Sequence, residues 1–257
     1  KGLKKNALGF VSSTVIGVAS TAPGYSLAAV LGFVVAAGAG GATVGVQGPA
    51  IMIIAFVPML FIAASYFYMN RADPDCGTTF TWVAKAMGPR FGWLGGWAII
   101  VADIVVMANL AQIAGLYTFY LIGIDDPSTA AVTALGVVWI AVMTWIVARS
   151  IELSARTQVV LLGAEVITLM VFAFVALIKV YTTDVPGEIM PELSWFSPFA
   201  IDNMGTVTAG VLIAVFIYWG WDSTVTVNEE TKDSSRTPGL AALTATVLLV
   251  LIYVLVT

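Results

Sequence analysis

Val18-Ala19-Ser20-Thr21-Ala22-Pro23-Gly24-Tyr25-Ser26 lies in the middle of one long apolar run, and Tyr218-Trp219-Gly220-Trp221-Asp222-Ser223-Thr224 lies in the middle of another. Both read as interruptions in membrane-spanning helices. Pro23 removes a helical hydrogen bond and clashes with the carbonyl four residues earlier, and Gly24 then relaxes the backbone. The hydroxyls around them can re-satisfy the freed backbone groups. In the second stretch a glycine sits between bulky aromatics and is followed by an acid and hydroxyls. In lipid, unwound backbone survives only where protein buries it or where it lines a watery cavity.

The surroundings establish that these are membrane helices. The chain has 257 residues, of which 60% are hydrophobic and 10% charged, whereas a soluble domain carries about 25% charged residues. The apolar runs are long and continuous, not alternating strands of about ten residues, so the class is all-α integral membrane. Seven spans are expected, at about 8–37, 46–69, 91–122, 128–150, 156–181, 205–227 and 239–257, within one transmembrane domain over 1–257. Asp73-Pro74, Asp125-Asp126-Pro127, Pro186-Gly187 and Thr237-Pro238 punctuate the connections. His is absent and Cys76 is the sole cysteine. That excludes disulfides within the chain, zinc sites, histidine-ligated haem and a Cys/His nucleophile pair. No metal, cofactor or nucleic-acid partner is expected, and Cys76 reads as a small loop residue without a role.

Charge placement orients the spans. Lys1, Lys4 and Lys5, then Arg71, Lys85 and Arg90, then Arg149 and Arg156, then Lys232 and Arg236 all fall on one side. Lys179 alone falls on the other, among Asp125, Asp126, Asp184, Glu188 and Glu192. The positive-inside rule makes the N-terminus cytoplasmic and the location a cell membrane. Seven spans then leave Thr257 at the outer face. The expectation is that further spans follow in the full-length protein, which also fits the lack of an initial Met.

Two breaks five spans apart match inverted-repeat transporters, which place discontinuous helices at corresponding positions of two repeats and bind substrate between them at mid-membrane. Spans one to five (1–181) would form the first repeat, and 205–257 would open the second.

At this point the residues resemble the amino acid–polyamine–organocation permeases. Pro74-Asp75-Cys76-Gly77-Thr78-Thr79-Phe80-Thr81-Trp82, then Lys85-Ala86-Met87-Gly88-Pro89 and Gly92-Trp93-Leu94-Gly95-Gly96-Trp97, look like the family's Pro-x-Gly-Gly-x-Tyr…Leu-Gly-Pro…Gly-Trp loop. Phe216-Ile217-Tyr218-Trp219-Gly220-Trp221-Asp222, with Glu229-Glu230-Thr231-Lys232-Asp233 and Arg236-Thr237-Pro238, is similar to the family's sixth-span signature. Thr157-Gln158 and Glu165 match a third stretch. The resemblance covers essentially the whole chain as the family's first seven spans. It implies the leucine-transporter-type fold, usually of twelve spans, and transport of amino acids or polyamines by symport or exchange. The family's usual Gly-Ser/Thr-Gly stands here as Ser20-Thr21-Ala22 before Pro23, leaving room for a substrate that docks its carboxylate differently. Glu165 stands where many members have a lysine read as a proton-linked substitute for a sodium site.

Three acids fall inside spans: Asp103, Glu165 and Asp222. An acid at the bilayer centre costs about 2.5–3.5 kcal/mol on insertion scales, so each is a functional candidate. No Lys or Arg lies deep in a span to neutralise them, so each is protonated, binds a cation or faces water. The substrate site expected from the breaks and the resemblance comprises Ser20, Thr21, Ala22, Gly24, Phe216, Trp219, Gly220 and Asp222. Asp222 would meet the substrate's ammonium, with Phe216 or Trp219 closing over it. Glu165 would carry the coupling proton, with Na+ as the alternative ion, and Glu229 and Glu230 would be gate residues at the cytoplasmic end. The expected function is a secondary active amino acid permease working by alternating access, with a polyamine or organic-amine permease or exchanger as the alternative. A seven-helix receptor would put its N-terminus outside, against the charge count, and a non-transporting interaction subunit is the other rival class. An enzyme would be left with an aspartyl mechanism, but Asp103 and Asp222 are far apart in sequence, so none is expected.

Overall fold

The computed structural model describes residues 4–183, 187 and 189–257. Lys1, Asp184, Pro186 and Glu188, used above in the charge count and the turn pattern, lie outside the described residues. The helices in chain order are α1 (Phe10–Thr21), α2 (Pro23–Ala36), α3 (Gly48–Ala72), α4 (Thr78–Met87), α5 (Pro89–Leu121), α6 (Thr129–Arg149), α7 (Ile151–Thr182), α8 (Met204–Phe216), α9 (Ser223–Thr226) and α10 (Thr237–Val256). A hairpin of two-residue strands, β1 (Gly38–Ala39) and β2 (Ala42–Thr43), joins α2 to α3.

Among the described residues, six spans are long and apolar enough to cross a membrane: Phe10–Ala36, Gly45–Ala72, Pro89–Leu121, Thr129–Arg149, Ile151–Thr182 and Thr237–Val256. The segment read from sequence as a full sixth span is helical over Met204–Phe216 only. At 1.5 Å per residue those 13 residues reach about 20 Å, short of the roughly 30 Å hydrocarbon core. The break accounts for the shortfall, because the helix stops just before Tyr218-Trp219-Gly220-Trp221. A second difference is α4. Residues 70–90 read as a loop, yet Thr78–Met87 is helical, starting after Gly77 and stopping at Gly88 (φ +97°), with Pro89 opening α5.

Two compact units emerge, one of Lys1–Cys76 with Thr157–Thr257 and the other of Gly77–Arg156. The second unit is built on small residues. A methyl group at Gly92 would sit 2.5 Å from the Ala84 Cβ, and one at Gly96 would sit 2.9 Å from the Phe80 ring, so α4 lies directly on α5. Further along, a methyl at Gly115 would meet the Val132 carbonyl at 2.5 Å, and one at Gly136 the Ala111 carbonyl at 2.7 Å. Helices α5 and α6 thus cross backbone to backbone, the arrangement small residues permit in lipid.

The first unit holds the core. Ile51, Met52 and Ala55 of α3 and Ala242, Ala245, Leu249 and Tyr253 of α10 pack with Tyr218 and Trp221. The α8 N-terminus is fastened to the hairpin. Asn203 accepts the Gly205 N–H (2.7 Å) and donates to the Ala39 carbonyl (3.1 Å), while Thr206 Oγ1 accepts the Ala39 N–H (3.0 Å). Outside the core, large apolar side chains such as Phe61 (70%), Leu212 (70%) and Ile104 (62%) are exposed on the helices. On helices of this length, such surfaces are what a lipid solvent accommodates and water does not. The chain is a multi-pass, all-α membrane protein.

Candidate functional site

The first break is a single residue. Ala22 adopts the left-handed conformation (φ 49°, ψ 68°), ending α1, and Pro23 occupies the first helical position of α2, where its missing N–H costs nothing. Left-handed geometry costs a non-glycine residue about 1–2 kcal/mol. Local hydrogen bonds offset part of that: the Ala22 N–H donates to the Ala19 carbonyl (3.0 Å), the Thr21 hydroxyl to the Gly17 carbonyl (3.0 Å), and the Ser26 hydroxyl to the Thr21 carbonyl (3.0 Å). The hydroxyls of Thr21 and Ser26 are therefore used on the backbone, as their position in the sequence predicted.

The second break is longer. After Phe216 the chain runs through turns, with Gly220 at φ +125°, until Asp222 leads into the four-residue α9. Its aromatics divide. Tyr218 and Trp221 are buried in the core, where Tyr218 donates to the Met52 carbonyl (3.0 Å) and Trp221 stands edge-on to Tyr66 (5.2 Å, 80°). Phe216 is half exposed (51%) and its ring lies 6.4 Å from that of Trp219, tilted 56°.

The breaks meet. A methyl group on Gly220 would stand 2.6 Å from the Ser20 carbonyl oxygen and 2.8 Å from the Thr21 nitrogen. Backbone lies against backbone, and only glycine satisfies both that approach and the positive φ. One turn earlier in α1, a methyl on Gly17 would meet the Thr224 side chain at 2.5 Å and the Trp221 carbonyl at 3.4 Å. Ser20, Thr21, Ala22, Gly24, Trp219, Gly220 and Asp222 therefore fall around one junction. Thr21 is buried, Ser20 exposed, and the others half-buried. Asp222 sits at the end of the turn, and its carbonyl accepts the Val225 N–H (2.9 Å).

Glu165, on α7, joins the same junction. Its Oε1 accepts the Gly24 N–H, and a methyl at Gly24 would lie 2.7 Å from that oxygen. The carboxyl thus occupies the N-terminal turn of α2, where unpaired N–H groups and the positive end of the helix dipole favour an acceptor. Asp103 lies on α5, in the other compact unit.

Glu229 and Glu230 lie away from the breaks, in a single 3-10 turn at Asn228–Glu230. There the N-terminal segment is stapled to the loop. Leu8 N–H donates to the Glu230 carbonyl (3.1 Å), Lys232 N–H to the Leu8 carbonyl (2.8 Å) and Lys4 N–H to Glu230 Oε1 (2.8 Å). Glu229 Oε1 accepts the Cys76 N–H (3.4 Å). Burial, a hydrogen bond to Glu229 and the charges of Glu229 and Asp75 push the Cys76 thiol up. Asp75, Cys76 and Glu229 each place one potential ligand atom within 4.8 Å of the others on an open surface.

Sequence reasoning missed the polar pair beside this staple. Asn70 donates to the Ser234 carbonyl (2.9 Å) and accepts from Asn228 Nδ2 (2.8 Å), and both residues are fully buried. An asparagine at the end of an otherwise apolar run was the available signal. It missed Tyr253 too, whose hydroxyl donates to the Ile217 carbonyl (2.6 Å) at the start of the second break.

Among known proteins, the chain is similar to membrane permeases. The low-affinity putrescine importer PlaP of Escherichia coli K12 is 26% identical over 188 residues, 73% of this chain and 40% of the importer. The branched-chain amino acid permease BcaP of Lactococcus lactis is 23% identical over 193 residues, 69% of this chain and 40% of the permease. The Asc-type amino acid transporter 1 of Mus musculus is 22% identical over 179 residues, 66% of this chain and 32% of the transporter. The chain thus spans well under half the length of these relatives. Residues 7–257 match the amino acid permease family, and the chain belongs to it.

Proposed function

We propose that the chain works in a secondary active permease that carries amino acids across the cytoplasmic membrane by alternating access, with proton coupling. The observation that carries this is the contact of Gly220 with the Ser20–Thr21 backbone, which joins two interrupted helices at their unwound points. Helix ends that meet in this way offer N–H groups and carbonyls at mid-membrane without a full helical complement of partners, as a substrate's charged termini require. Residues 1–181 then form a first five-helix repeat and 205–257 the opening of its inverted counterpart, in the leucine-transporter manner. Ser20, Thr21, Ala22, Gly24 and Gly220 supply backbone to the substrate. Asp222 meets its ammonium, and the Phe216–Trp219 pair closes over it. Glu229 and Glu230 belong to the cytoplasmic gate, where the N-terminal segment is held.

A polyamine or organic-amine substrate is the second reading. It is favoured by Glu165 and Asp222 lying in spans that hold no deep Lys or Arg, and by the likeness to an importer named for putrescine.

Uptake of labelled amino acids and putrescine by the full-length protein in proteoliposomes, with and without a pH gradient, tests both readings. Asp222→Asn removes a charge-assisted hydrogen bond worth about 1.5–3 kcal/mol, so KM should rise roughly 10- to 100-fold. Unchanged affinity removes Asp222 from the site. Glu165→Gln keeps an acceptor for the Gly24 N–H and loses only the titrating proton. It should fold and bind yet lose its response to the pH gradient, whereas retained proton-driven uptake leaves Glu165 as a helix cap and nothing more.

A further inference from the structure

In a continuous helix the Ile217 carbonyl would accept the N–H of Trp221, four residues on. The break prevents this. The backbone donors around it turn elsewhere: Tyr218 to Val215 (3.3 Å), Trp219 to Phe216 (3.2 Å), Ser223 to Gly220 (3.2 Å) and Thr224 to Trp221 (3.2 Å). The donor that reaches Ile217 is the Tyr253 hydroxyl of α10, at 2.6 Å. Tyr253 is fully buried and stands edge-on to Tyr218 (5.0 Å, 73°).

The same hydroxyl borders the first break. Ser26 and the Glu165 carboxyl are its neighbours there. A tyrosine hydroxyl has one proton and accepts on its lone pairs. With its proton on Ile217, the Tyr253 oxygen faces Ser26 as an acceptor. The single Ser26 proton then has two destinations, that oxygen and the Thr21 carbonyl at 3.0 Å. Gly24, two residues before Ser26, donates to Glu165. One side chain of α10 therefore touches the carbonyl freed at the second break and the hydroxyl that closes the first.

We propose that Tyr253 is a positioning residue of the transport site, whose hydroxyl clasps the unwound part of span six to that of span one so that the two breaks shift together. This rests on the permease reading and deepens it: Tyr253 fixes the geometry of backbone the substrate uses without itself touching substrate.

Tyr218 supplies the control. It is as buried as Tyr253, but its hydroxyl donates to Met52 inside the continuous helix α3 (3.0 Å), so losing it frees no carbonyl at a break. The test is hydrogen–deuterium exchange of the full-length protein in nanodiscs, read in peptides covering 216–226 and 18–27. Tyr253→Phe keeps the ring and should speed exchange in both peptides about tenfold, the scale set by leaving a buried acceptor unpaired. Tyr218→Phe should leave the 18–27 peptide unchanged, and Ser26→Ala should speed that peptide alone. The double variant Ser26→Ala/Tyr253→Phe should exchange no faster than Tyr253→Phe, as expected of groups acting as one unit. In proteoliposomes Tyr253→Phe should lower the maximal uptake rate about tenfold while equilibrium substrate affinity stays within about twofold, the pattern of a lost conformational contact. Equal effects of the two Tyr→Phe changes overturn the clasp, as do wild-type exchange rates in Tyr253→Phe. Failure of Tyr253→Phe to assemble where Tyr218→Phe assembles also overturns it, since the hydroxyl is then a folding requirement. A wild-type protein that takes up no amino acid or amine overturns the permease reading instead, and the exchange arm still decides the clasp.

Discussion

Gly220 shows how much can depend on one missing side chain. Its φ of +125° and the Ser20 carbonyl 2.6 Å from where a Cβ would stand are separate demands, and both exclude alanine. Backbone cannot rotate out of the way as a flexible side chain can. Gly220→Ala should therefore cost at least the 1–3 kcal/mol of a strained backbone position, about, and should lower the thermal unfolding temperature as well as uptake. A variant as stable and active as the wild type would mean that the breaks are not held in contact. A second residue, Cys76, gives a pH test outside the membrane. Burial comes first, and then the hydrogen bond and charge of Glu229, in pushing its thiol above the ordinary range. The thiolate is the reactive form, so at neutral pH Cys76 should react with maleimide more slowly than a free thiol and should speed up only at more alkaline pH. Glu229→Gln removes the charge and should bring the rise to lower pH, as peptide mass mapping of the alkylated site will read. No change in the profile would detach Glu229 from the thiol.

At the scale of elements, the two broken helices solve their interruption differently. The first uses one left-handed residue followed by proline, the second an unwound turn centred on glycine. Ala22 bears the strain of the first. Ala22→Gly relieves it at the cost of a looser unfolded chain, so the net stability should rise by up to about 1 kcal/mol. Ala22→Val, with a branched Cβ in the left-handed region, should destabilise by more than that. Thermal unfolding of the pair checks the sign, and a more stable valine variant would place the strain elsewhere. The contrast also explains what was legible. Pro23 and Gly220 are breakers by their own chemistry, so the sequence located both interruptions. Helix α4 was hidden because it spans only ten residues between Gly77 and Gly88, too few for an apolar period to stand out. The spacing of Gly92 and Gly96, which seat α4 on α5, was visible but had no partner to be paired with until the helix was seen.

For the molecule as a whole, what could not be read from sequence is long-range pairing. Residue 220 against residue 20, Glu165 against Gly24, Tyr253 against Ile217 and Asn228 against Asn70 are each joined by tertiary packing, and no local pattern announces any of them. Composition and charge, by contrast, are global quantities that a sequence states outright, and an expected orientation follows from them. With Arg71, Arg149, Lys232 and Arg236 near some connections and Asp125 and Asp126 in another, the expectation from the positive-inside rule is a residue 125 loop outside the cell. The Leu8–Thr231 bridge adds a constraint, because it holds the start of the chain to the loop between α9 and α10 and so obliges both to lie on the same side. Cysteines placed singly at Asp126 and Lys232, in a full-length background without other cysteines, test the orientation directly. A membrane-impermeant maleimide applied to intact cells should label Asp126→Cys and spare Lys232→Cys, and both should label once the membrane is opened. The reverse pattern would turn the molecule over and place Glu229, Glu230 and the N-terminal staple at the outer gate. Labelling of both sites in intact cells would mean that the residue 232 loop is reached through the protein, with the Leu8–Thr231 staple open.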